Sequence, residues 1–272
     1  MSYELTFENF KKIEALFEAF PYDRAWLDSA FREPGRARAF VEESLGGSLI
    51  LLCLESGDCF MAGEISAEKV KGLLNYVFEL EKPQTINYIG LPQAGWSKLI
   101  IGQFPEQFSE LPRIQLEFDE TRFLEAKKAL LPLPMGFKLT RPNLALARRI
   151  GRELDPDFEE FWPNPEEFLT HGAGFCITQQ GQIASVAYSA FAPYRLFEVA
   201  IATHQDFRGR GFATFVAAAL LEECLGRGYK PHWSAEAENQ ASRHTGHKLG
   251  FGNEQQYMWL KYSHNKLSGK ES

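Results

Sequence analysis

Cysteine is scarce in this chain, and the four present (Cys53, Cys59, Cys176 and Cys224) form no CxxC pair. Neither a zinc site nor a disulfide framework is expected, which leaves buried thiols in a reducing compartment. Long apolar runs are missing too. The most apolar stretch, Leu49 to Leu54, is far too short to span a bilayer. The N-terminal MSYELTFENF has no basic segment followed by an apolar one, so no secretion signal is expected. Positive charge is in deficit: 29 Lys and Arg face 36 Asp and Glu, for a net charge of −7 and a pI near 5.5. That argues against general nucleic-acid binding, which wants a basic face, and is mildly compatible with a cationic substrate. Two phosphate-binding patterns are also missing. No GxxxxGK[ST] occurs, and Gly209-Arg210-Gly211 lacks the third glycine of GxGxxG. A cytoplasmic globular protein, with no nucleic acid or membrane as partner, is the expectation.

The 272 residues suffice for one large domain or two ordinary ones. A proline and glycine cluster, Leu131-Pro132-Leu133-Pro134-Met135-Gly136, is the best linker candidate. It predicts an N-terminal α/β domain over 1–131 and a second domain over 137–266. In the first, Phe10, Ile13, Leu16, Phe17 and Phe20 fall at helical spacing, and Pro21 ends the helix. A second helix is expected from Arg36 to Leu45. A hairpin turns at Glu55-Ser56-Gly57, a helix covers Ala67 to Phe78, and strands lie near 85–89 and 114–118, with a helix after Thr121. No chemical motif stands out there, and Cys53, Met61 and the aromatics read as core.

The second half is more legible. Strands are expected over 174–178, 183–191 and 197–203, then a helix over 212–225, a strand over 229–236, a helix over 239–249 stopped by Gly250, and a closing strand over 257–262. Between the third strand and the first of these helices lies Arg208-Gly209-Arg210-Gly211-Phe212-Ala213. A strand that breaks into a tight glycine turn at a helix start presents several unpaired N–H groups in one direction. With the helix dipole and two arginines they make a site for phosphate or pyrophosphate.

Arg208 to Ala213 resembles the Arg/Gln-x-x-Gly-x-Gly/Ala signature of the GNAT superfamily of acyl-CoA-dependent N-acyltransferases. Asn239-Gln240-Ala241-Ser242 and Lys248-Leu249-Gly250-Phe251 resemble its downstream element, in the right order and at fitting spacing. The likeness covers roughly residues 137–262. Narrower pieces, among them Glu198 to Thr203 and Pro231-His232-Trp233, resemble the subfamily that includes the zwittermicin A resistance acetyltransferase.

The resemblance implies an α/β (α+β) fold, with a mixed, splayed central sheet flanked by helices in the C-terminal domain. The N-terminal domain has no assigned role, a degenerate GNAT-like half being one reading of it. The implied activity is transfer of acetyl from acetyl-CoA to a primary amine of a small acceptor. The pyrophosphate would lie on Arg208, Gly209, Arg210, Gly211, Phe212 and Ala213. The pantetheine arm would pair with the strand edge at Ile201 and Thr203, and Asn239 and Ser242 would reach the cofactor from the other side. Arg210 is the more solvent-facing of the two arginines.

Transfer needs a neutral amine and therefore a base, a backbone N–H near Ala200 to Ala202 for the oxyanion, and a proton for the departing thiolate. Glu198, the one acid on the central strand, is the candidate base; a structural or substrate-orienting carboxylate is the other reading. Many GNAT enzymes carry a Tyr acid five residues before the final Phe of the downstream element, where this chain has Gly246. His247 or His244 stands in as donor candidate, although either also fits a solvated surface histidine. Release without a dedicated acid is open as well, and no metal is expected at these histidines. A GNAT fold that binds acyl-CoA as a sensor or scaffold, without turnover, is the alternative function.

Overall fold

The computed structural model describes residues 1–18, 20–81, 84–192, 194 and 196–263. The last three residues of the expected second domain, 264–266, lie outside them. The strands are β1 (Ser2–Leu5), β2 (Ala37–Ser44), β3 (Gly47–Leu54), β4 (Asp58–Gly63), β5 (Tyr88–Gly90), β6 (Phe108–Phe118), β7 (Phe137–Thr140), β8 (Gly174–Gln179), β9 (Gln182–Ser189), β10 (Leu196–Thr203), β11 (Lys230–Glu236) and β12 (Phe251–Tyr262). The helices are α1 (Lys11–Glu18), α2 (Arg24–Arg32), α3 (Ala67–Phe78), α4 (Trp96–Gln103), α5 (Glu120–Lys128), α6 (Leu144–Glu153), α7 (Asp157–Phe161), α8 (Pro165–His171), α9 (Phe212–Gly226) and α10 (Gln240–Lys248).

The chain divides into two compact units, 1–113 with 256–272 and 114–255. This corrects the boundary expected at the 131–136 cluster. The division falls inside β6 and β12 instead. Prolines there do separate α5 from β7, but β6 and α5 belong to the second unit, where Ile114, Leu116 and Phe123 are buried in its core.

Each unit runs through the same sequence of elements. In the first, β1 pairs antiparallel with β2, and β2, β3 and β4 form an antiparallel run. Helix α3 follows, then β5 parallel to β4, then α4. In the second, β7 pairs antiparallel with β8, and β8, β9 and β10 form the antiparallel run. Helix α9 follows, then β11 parallel to β10, then α10. The final strand of each unit comes from the other half of the chain: β12 pairs with β5, with Leu260 opposite Ile89, and β6 lies beside β11. Asp23, fully buried, holds β12 in the first unit by accepting from Tyr257 Oη at 2.7 Å and Trp259 Nε1 at 2.8 Å.

The helix expected from Arg36 to Leu45 is strand β2, and the helix is α2 instead. Ala39, Phe40 and Val41 are consecutive and all buried, between β1 on one side and β3 on the other, so no helical stripe exists there. The cysteine expectation also needs correction. Register puts Cys53 opposite Cys59 on the β3–β4 hairpin, Cα atoms 4.0 Å apart, and the two form a disulfide; Cys176 and Cys224 are free and buried.

The core of the second unit positions the site. Helix α9 is apolar nearly all round and buries Val216, Ala217, Leu220, Leu221 and Cys224 against Phe197, Val199 and Trp233 on one face of the sheet. The opposite face carries Cys176, Val186, Tyr188, Ala200 and Ala202, covered by residues of α6 to α8. No helix among the described residues is long and apolar enough to cross a membrane.

Candidate active site

β10 and β11 part company. Their parallel register covers only Leu196, Phe197 and Glu198, opposite Lys230, Pro231 and His232. From Val199 to Thr203 the described ladder of β10 runs on one side alone, with β9. The Glu198 carbonyl accepts from Ala190 N–H, and His204 N–H donates to the Ala184 carbonyl, each at 3.0 Å. Antiparallel ladder bonds fall on alternate residues. Glu198, Ala200, Ala202 and His204 therefore point their backbone groups at β9. Val199, Ile201 and Thr203 point theirs at the fork. Within Ala200 to Ala202, only the Ile201 N–H faces that way.

A single 3-10 turn, Gln205–Phe207, leads from β10 into the glycine loop. Phe207 and Phe212 both pack against Phe137, with ring centroids 5.8 and 4.6 Å away, which anchors the loop at both ends. Gly209 and Gly211 take left-handed φ angles of 77° and 78°, and a Cβ at either would meet no atom within 4 Å. Their glycine character serves the backbone conformation and leaves open space above it. Gly211 is the N-cap of α9 and supplies no side-chain cap, and the first bond into the helix is Phe215 N–H to the Gly211 carbonyl. No described hydrogen bond is donated by the backbone N–H groups of residues 209–214. That is a run of successive amides at a helix N-terminus, where the dipole is positive. Arg208 Nε donates to the Thr203 carbonyl at 3.3 Å, and Arg210 lies over the Phe207 ring at 5.3 Å. Both arginines are exposed.

Asn239 caps α10, its side chain accepting from Ser242 N–H at 3.0 Å. Ser242 Oγ in turn accepts from Trp233 Nε1 at 3.1 Å. Asn239 Oδ1 is thus engaged within the helix start and Ser242 Oγ by β11, while the Asn239 amide NH2 and the Ser242 hydroxyl proton retain donor capacity.

Glu198 lies on the last paired register, opposite His232 and buried with it. Its Oε2 is bonded to His232 Nδ1, and its Oε1 accepts from Ser234 Oγ at 3.0 Å. The other ring nitrogen of His232 stands 2.7 Å from Gln115 Oε1 on β6. Sequence reasoning named Glu198 but assigned no role to His232, Ser234 or Gln115. The pairing exists because β11 returns parallel to β10 after α9, and the one local hint was a histidine between Pro231 and Trp233 in a strand.

His247 sits at the C-terminal turn of α10. Its Nδ1 is 3.2 Å from the Phe251 carbonyl and its Nε2 is 3.9 Å from Glu254 Oε2. No described bond joins it to Glu198 or His232. At Gly246 a Cβ would come within 2.8 Å of Leu116 Cδ1 and 3.3 Å of the Trp233 ring. The side chain is absent there because its space is filled.

The first unit lacks these features at the matching places. Its third β4–β5 pair is Phe60 opposite Gly90, where the second unit has Glu198 opposite His232. Its α3 is capped by the Ser66 side chain, which accepts from Lys69 N–H at 3.2 Å.

A curated protein of Bacillus subtilis (strain 168), described as an uncharacterized N-acetyltransferase YdfB, is 21% identical over 249 residues, covering 91% of this chain and 94% of that protein. The crystal structure of a GCN5-related N-acetyltransferase-like protein from Streptococcus suis 89/1591 has the same fold, with a TM-score of 0.73 and 24% identity over 94% of this chain and 99% of that one. A tandem GNAT protein from the clavulanic acid biosynthesis pathway also shares the fold, with a TM-score of 0.59 and 13% identity, over 96% and 98% of the two chains. The model of the GNAT acetyltransferase family matches residues 22–260, across both units, and the chain belongs to that family.

Proposed function

We infer that the protein transfers an acetyl group from acetyl-CoA to a primary amine of a small acceptor. The observation that carries this reading is the run of unpaired amides over 209–214 beside the open edge of β10. The pyrophosphate binds across the amides of Gly209 to Ala213, with Arg208 and Arg210 at its margin. The pantetheine amides pair with Ile201 and Thr203, as a peptide adds a strand to a sheet edge. Asn239 and Ser242 donate to the cofactor from α10. The Ile201 N–H receives the oxyanion.

The acid–base work belongs to Glu198 in this reading, as the carboxylate at the closed end of the fork. His247, held by Phe251 and Glu254, is the lesser candidate for the proton donor. The first unit is a GNAT-like half without a cofactor site, supported by its matching order of elements, the Ser66 cap and Phe60 in place of Glu198. The likeness to the zwittermicin A resistance subfamily and a cytoplasmic setting belong to this proposal too.

The packed Gly246 favours a second reading, an acyl-CoA sensor without turnover. Thiol release from acetyl-CoA with a panel of amines separates the two, alongside calorimetric titration with CoA. The enzyme reading expects amine-dependent release, lowered in Glu198→Gln. Tight CoA binding without release on any amine supports the sensor, and no CoA binding overturns both.

A further inference from the structure

Glu198 has a partner on each oxygen, and it and His232 are 4% and 6% exposed. A carboxylate only accepts, so His232 Nδ1–H donates to it, and Nε2 is the ring's second working nitrogen. Beside Nε2 is the Gln115 side chain. A primary amide offers its carbonyl to an Nε2–H and, turned over, its NH2 to a bare Nε2. Gln115 can thus meet the second ring nitrogen of His232 in either of its charge states. A histidine held only for packing needs one of those states.

The geometry points to His232 as the proton carrier of the transfer, in place of the direct acid–base role given to Glu198 above, with Glu198 as the carboxylate that orients the ring and balances the imidazolium. This rests on the acetyl-CoA reading above. The row Glu198, His232, Gln115 lies where β10 and β11 separate, next to the edge on which the pantetheine arm would end. The amine first gives one proton to water. Its lone pair then attacks the thioester carbon, forming the C–N bond and moving the carbonyl π electrons onto oxygen. With the Gln115 side chain displaced from it, His232 Nε2 takes a proton from the nitrogen, which carries a positive charge after attack. As the oxyanion collapses, the C–S bond breaks and sulfur leaves with the electron pair. His232 returns the proton to sulfur, giving CoA thiol and a neutral ring, and nothing is oxidised or reduced. The task left open by Gly246 on α10 is thereby met from the opposite strand of the fork.

Isotope-labelled full-length protein, followed by nitrogen NMR of histidine rings and backbone amides, tests this without a known acceptor. The probes are CoA and desulfo-CoA, which lacks the sulfur. The His232 Nε2 signal is expected to move with CoA and not with desulfo-CoA, while the amides of residues 209–213 move with both. An equal His232 response to both probes, with the loop amides moving, overturns the proton carrier and leaves the cofactor reading standing. Loop amides that respond to neither probe overturn the cofactor reading and this proposal with it. As a second measure, His232→Gln that keeps the wild-type circular dichroism and loop response is expected to slow amine-dependent thiol release at least about 100-fold. A loss below about 3-fold overturns the assignment, since positioned proton transfer contributes far more.

Discussion

Gly246 backs directly onto Trp233: a Cβ added to this glycine would stand 3.3 Å from the indole ring, with Leu116 Cδ1 closer still at 2.8 Å. Two effects compete in Gly246→Ala. Removing a helical glycine gains about 1 kcal/mol, and overpacking a filled site costs about 1–3 kcal/mol. The Leu116 methyl is the end of a flexible side chain, so the alanine variant is expected to stay within about 1 kcal/mol of wild type by urea unfolding. Gly246→Tyr has no such escape and is expected to lose more than about 2 kcal/mol, without any gain in thiol release. A stable, more active tyrosine variant would show that packing does not explain the glycine.

Gly211 separates conformation from space. Alanine there meets no atom but must hold a left-handed φ of 78°. Gly211→Ala is expected to cost about 1–2 kcal/mol of stability. CoA affinity is expected to fall at least about 10-fold, because the methyl occupies the open space above amides that would hold the pyrophosphate. Calorimetric titration that finds unchanged affinity would place the pyrophosphate elsewhere.

The thiols divide into two kinds. Burial pushes the Cys176 and Cys224 thiols up to about 12, and Cys53 and Cys59 are bonded to each other. With an aromatic disulfide reagent near about pH 8, native protein is expected to show almost no reaction. Unfolded without reductant it should yield two thiols, and after reduction four. Four thiols without reductant would mean that Cys53 and Cys59 are not bonded.

Asp155 gives a pH signature of definite sign. Burial raises its carboxyl above the usual aspartate range, and the Tyr188 hydroxyl, donating to Oδ2 at 2.9 Å, offsets only part of that. The folded state therefore holds this proton more tightly than the unfolded chain. Its contribution to stability is full below the ordinary aspartate pKa of about 4 and is lost as pH rises through the raised folded value. Asp155→Asn removes this term. Between acid and neutral pH the variant's stability is expected to gain on wild type, read as the difference in urea midpoints. A difference that does not change with pH would rule the assignment out.

The parts legible in the sequence are those whose signals are local. The glycine loop, the Asn239 cap and helix α9 announce themselves through turn chemistry and composition over a few residues. β2 was misread because Ala39, Phe40 and Val41 are buried on both faces of a sheet, which erases periodicity. His232 was passed over because its meaning is a parallel register with Glu198 across α9, 34 residues away. The unit boundary was misplaced for a related reason: prolines mark a break in the chain, while β6 and β12 decide which core they enter by pairing with distant strands.

The exchange of those last strands bears on how the chain is made. The first unit lacks its β12 segment until residues 256–262 have been synthesised, so the earlier-made half waits for the later-made one. During that interval the edge of β5 that β12 will cover, and Asp23 with no Tyr257 or Trp259 to satisfy it, stand unsealed, the condition under which nascent chains engage chaperones or one another. Cutting the chain at the proline cluster would not free two domains. It would leave each fragment holding the strand that the other needs.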